Sequence, residues 1–79
     1  MLSAPEVLDR YYLDTRCLLL ELAAMLDRLD AARQRDGDGG VTSDARLARL
    51  YESLTMLSDR ETTPDRAERL LRLFSDHVD

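Results

Sequence analysis

The sequence predicts an all-α fold: one long N-terminal helix packed antiparallel against two shorter helices, as a helical hairpin or three-helix bundle that dimerises. Three observations carry this. Apolar residues recur at steps of three and four, no stretch alternates with the period of two that a strand needs, and the pattern breaks at only two places, Asp36-Gly37-Asp38-Gly39-Gly40 and Thr62-Thr63-Pro64. A chain of 79 residues has room for one domain, near the size at which a core must be packed economically or completed by a partner. The expectation is therefore a single helical domain over 1–79.

The first helix marks its own start. Ser3 can cap it, Pro5 is tolerated in the first turn, and Glu6 stands three residues after Ser3, as a capping box requires. It is expected over about 4–34, ended by a glycine-rich loop at 36–42. At 1.5 Å per residue such a helix is roughly 46 Å long, whereas a compact domain of this size is only about 30 Å across. Helix two is expected over 44–60, beginning after Thr42 or Ser43, with Leu47, Leu50, Leu54 and Leu57 as its apolar stripe. Helix three is expected over 64–77, with Thr63 as N-cap and Pro64 in the first helical position. One side of it carries Ala67, Leu70, Leu71, Phe74 and Val78, and the pairs Asp65/Arg69 and Glu68/Arg72 have the spacing of exposed ion pairs.

Helix one has two apolar faces. Leu8, Tyr11, Thr15, Leu18, Leu22, Met25, Leu29 and Ala32 keep a three-four spacing through four heptads, widened by Leu19 and Leu26. The two returning helices can cover this seam from within the chain. Leu13, Cys17, Leu20 and Ala24 form a shorter face that falls roughly opposite at about 100° per residue. A helix that is apolar on two sides is buried on two sides. The expected cover for the short face is a second copy of the chain in a self-complementary interface, with Tyr12 at the edge of the seam as a further contact. The alternative is a monomer in which helices two and three splay to either side of helix one.

Composition removes several functions. The net charge of -5 opposes nucleic-acid binding, which needs clustered basic residues that displace counterions from phosphates. All eleven basic residues are Arg, which follows from a genome rich in G and C without any demand for phosphate recognition. The single Cys17 permits no internal disulfide, so a bridged extracellular scaffold is not expected and a reducing cytoplasm is. The start MLSAPEVLDR lacks the pattern of a signal peptide, and the apolar run from Cys17 to Leu26 contains Glu21 and falls well short of the roughly 20 residues that span a bilayer.

No catalytic motif is present, and no cofactor is expected. The run Arg35-Asp36-Gly37-Asp38-Gly39-Gly40-Val41 resembles the middle of an EF-hand loop, with Asp36 and Asp38 at its third and fifth positions. The first and twelfth positions fall on Gln34 and Ala45, where that loop needs an Asp and a bidentate Glu, so a soluble glycine turn is expected and calcium is not. His77 has no second His or Cys near it in sequence and reads as a surface residue. Cys17, among leucines, is expected to be buried and unreactive. Asp27 and Asp30, with Arg28 and Arg33 around them, read as a solvated face. Tyr11 and Tyr51 lie on apolar stripes and are expected to pack. What remains is a non-enzymatic helical interaction module that self-associates through helix one. Its alternatives are an adaptor binding a different protein and, more remotely, a metal-binding bundle.

Overall fold

A computed structural model describes residues 1–75. It contains α1 (Ala4–Asp36), a short 3-10 turn (Val41–Ser43), α2 (Ala45–Ser58) and α3 (Arg66–Ser75). Among the described residues there is no strand, and no helix is long and apolar enough to cross a membrane. The chain divides into two compact units, Met1–Gly39 and Gly40–Asp79. The first holds α1, the second the 3-10 turn, α2 and α3.

The capping box forms as the sequence predicts. Glu6 N–H donates to Ser3 Oγ at 3.3 Å, and Ser3 N–H donates to Glu6 Oε1 at 3.2 Å. The Ser3 hydroxyl also donates to that carboxylate at 2.7 Å, and this bond holds the Glu6 carboxyl below its ordinary range. The helix runs two residues past the expected 34, to Asp36. Arg33 and Arg35 in the last turn favour that extension, because cations are stabilised at the negative end of the helix dipole. Gly37 then ends it, donating its N–H to the Arg33 carbonyl at 2.9 Å. Its φ of 90° and ψ of 169° belong to a region that only glycine enters freely. At this length α1 extends roughly 50 Å.

In the second unit the 3-10 turn consumes Thr42 and Ser43, so Asp44 is the cap of α2. Its carboxylate accepts from Arg46 N–H at 2.8 Å. A further bond from the Arg46 guanidinium to Asp44 at 2.8 Å helps pull the Asp44 carboxyl from 3.8 to about 2. The helix stops at Ser58, two residues before the expected 60, where Asp59 N–H turns back to the Met56 carbonyl at 3.3 Å.

Helix three begins at Arg66, two residues later than expected. Pro64 does not open it. Asp65 N–H donates to the Thr63 carbonyl at 2.6 Å, closing a three-residue turn whose centre suits the fixed φ of Pro64. The Asp65 carbonyl then accepts the first helical bond, from Arg69 N–H at 3.0 Å. The Thr62 hydroxyl donates to Asp65 Oδ1 at 2.8 Å and accepts from Arg69 Nη1 at 3.2 Å, so Arg69 meets Thr62. The first of these bonds lowers the Asp65 carboxyl. Arg66 Nη2 donates to the Asp59 carbonyl, tying the start of α3 to the end of α2. The expected Glu68–Arg72 pair forms at 2.7 Å.

Helices α2 and α3 pack on each other. The apolar residue buried among those described is Leu73, and the buried polar residues are Arg49 and Ser53. This inward line differs from the expected stripes: Leu47, Leu54 and Leu70 are half-buried, while Leu50, Leu57, Ala67, Leu71 and Phe74 are exposed. The long aliphatic stem of Arg49 substitutes for a smaller apolar side chain, and Ser53 donates its hydroxyl to the Arg49 carbonyl at 2.8 Å, so its burial leaves no unpaired donor. The expected end of helix three, with Val78, lies outside the described residues.

Candidate functional site

The surface most in need of explanation is α1, none of whose residues is buried. Four of its seam positions, Leu8, Tyr11, Leu18 and Met25, expose between 53% and 65% of their surface. Thr15, also on the seam, donates its hydroxyl to the Tyr11 carbonyl at 2.8 Å, so it brings no unsatisfied donor to an apolar contact. Leu22, Leu29 and Ala32 are half-buried.

The five residues expected at an interface are all accessible. Tyr12, Leu13, Cys17 and Leu20 are exposed and Ala24 is half-buried. The exposure of Cys17 departs from the burial expected of a cysteine among leucines, because its neighbours along the helix crowd it less than a packed partner would. Tyr12 and Leu20 share an apolar hollow of about 300 Å³ with Thr15, Arg16 and Leu19. The sequence pointed to Tyr12, Leu19 and Leu20 separately; their meeting with Arg16 in one hollow needed the helix to be built. Tyr11 and Tyr51 are about half exposed, where packing was expected.

At the end of α1 and in the loop after it, carboxylates pair with arginines of the helix's last turns. Asp38 accepts from Arg33 Nε at 2.8 Å, Asp30 lies 3.4 Å from Arg33 Nη1, and Asp36 accepts from Arg35 at 2.8 Å. Two of these carboxylates, the Asp36 and Asp38 of the EF-hand-like run, are thus neutralised within the chain. Among the described residues no cluster of three metal-binding side chains occurs. Asp30 serves an ion pair and Asp27 is exposed, as a solvated face requires. His77 lies outside the described residues.

Comparison with protein-family models, with curated proteins and with solved structures finds no match.

Proposed function

We propose that this chain is a non-enzymatic protein–protein interaction module that self-associates through α1, as a homodimer in a reducing compartment such as the cytoplasm. One observation supports the reading above the others: a helix with one apolar seam along most of its length and a second, shorter apolar face has no buried residue. Exposing such continuous apolar area to water is unfavourable at about 25 cal/mol per Å². The size of the units points the same way. Below about 40 residues, stable folding usually needs disulfides, metals or association, and a single cysteine closes no bridge within the chain.

In this reading α1 is the central helix of the assembly. One of its apolar faces is covered by the second copy. The test is size-exclusion chromatography with light scattering on the full chain. A particle of twice the 9.0 kDa chain mass is expected; a monomer at tens of micromolar would overturn the proposal and turn attention to a different protein as partner.

A further inference from the structure

We propose that the second copy docks on the Leu8–Ala32 seam of α1, in place of the short Leu13–Ala24 face, and that the two helices run antiparallel. This inference rests on the self-association proposed above and adds its surface, direction and register.

Extent selects the seam. From Leu8 to Ala32 it covers about 36 Å of helix, against about 16 Å from Leu13 to Ala24. A stable interface needs about 800 Å² from each partner, and a narrow stripe about three turns long cannot supply that. The seam adds the exposed Tyr12 and Leu19 along one flank.

Side-chain size selects the direction. With the helices antiparallel and centred between Leu18 and Leu22, Leu8 meets the partner's Ala32, Tyr11 the partner's Leu29, and Thr15 the partner's Met25. Leu18 meets the partner's Leu22. Each small residue faces a larger one, which fills the layers evenly. A parallel pair would stack Ala32 on the partner's Ala32 and Tyr11 on the partner's Tyr11, leaving a void in one layer and crowding another.

The flanks select the same direction. In heptad terms Tyr12, Leu19 and Leu26 form one flanking row, and Asp14, Glu21 and Arg28 form the other. Antiparallel helices set like rows together: Tyr12 faces the partner's Leu26, Leu19 faces the partner's Leu19, and Asp14 faces the partner's Arg28 in two symmetric ion pairs. Parallel helices would instead set Leu19 against the partner's Asp14 and Arg28 against the partner's Arg33. One unfavourable contact is built into the antiparallel register, Glu21 against the partner's Glu21 across the two-fold axis. Glu21 is exposed, so solvent screens this repulsion. The strict seven-residue repeat on a 3.6-residue helix gives the pair a left-handed supercoil.

Two full-length proteins, Leu8→Cys and Ala32→Cys, each with Cys17→Ser, test the register under mild oxidation. Mixing them is expected to give the mixed disulfide dimer, while either protein alone stays a thiol, because its two cysteines would sit about 36 Å apart. Self-linking of either single variant would overturn the antiparallel direction. Leu18→Asp is expected to weaken association by about a hundredfold, since a carboxylate is placed in the centre of the seam. Leu20→Asp is expected to leave it nearly unchanged; the opposite pattern would move the contact to the short face and overturn this inference while self-association stands. Arg28→Asp is expected to weaken binding by about tenfold, and adding Asp14→Arg to restore it. Failure of the exchange to restore binding would contradict the register. Wild-type chains that stay monomeric throughout would overturn self-association itself.

Discussion

The two units differ in where their order comes from. Helix α1 has the longer apolar repeat, a complete capping box at Ser3 and Glu6 and a glycine stop at Gly37, yet none of its residues is buried. The unit formed by α2 and α3 has the shorter apolar stripes, and it buries Leu73 with Arg49 and Ser53. Local signals are sufficient to start and stop a helix; burial requires a surface to pack on. The longest apolar repeat therefore belongs to a helix that buries none of its residues.

Variants can break that contrast in order of expected size. Leu73→Ala should cost the second unit about 2 kcal/mol in urea unfolding, at the lower end for a buried leucine. Leu71→Ala, on an exposed neighbour, should stay within about 0.5 kcal/mol. Equal costs would show that burial does not organise this unit. Gly37→Ala should destabilise the end of α1 by about 1–2 kcal/mol, although a Cβ there meets nothing within 4 Å. The cost is conformational, and thermal unfolding at unchanged helix content would read it. Ser3→Ala should cost about 1 kcal/mol of helix stability, seen as faster amide exchange in the first turn of α1.

The smallest effect is set by pH. The folded Asp44 carboxyl is depressed from 3.8 to about 2, chiefly by its bond with Arg46. Its stabilisation is therefore complete above the unfolded value and is lost as the pH falls from 3.8 towards about 2. Amide exchange at Arg46, corrected for its intrinsic pH dependence, should lose protection across that window. In Asp44→Asn the step should vanish.

The two apolar faces of α1, its N-terminal cap and the glycine stop were legible in the sequence, because each depends on residues within a few positions of one another. The start of α3 was not. Thr63 and Pro64 carry the residue types of a cap and first turn, but the Thr63 carbonyl is engaged by Asp65 N–H and moves the cap to Asp65. The buried line through Arg49, Ser53 and Leu73 was also missed, because hydropathy assigns an arginine and a serine to the solvent side. Their spacing of four was the available signal, and it becomes readable once an arginine stem is counted as apolar surface. In the candidate site, Tyr12 and Leu20 were identified from position on the helix. The hollow they share with Arg16 depends on side-chain placement that periodicity does not specify.

We propose that the apolar surface of α1 holds two copies of this chain together. Sedimentation equilibrium of the wild type beside Leu18→Asp, over a range of concentrations, decides it. The wild-type mass should rise from 9.0 kDa towards twice that value with concentration, while Leu18→Asp stays at the chain mass. A wild-type mass that remains at 9.0 kDa, or a dimer that Leu18→Asp leaves intact, would contradict it.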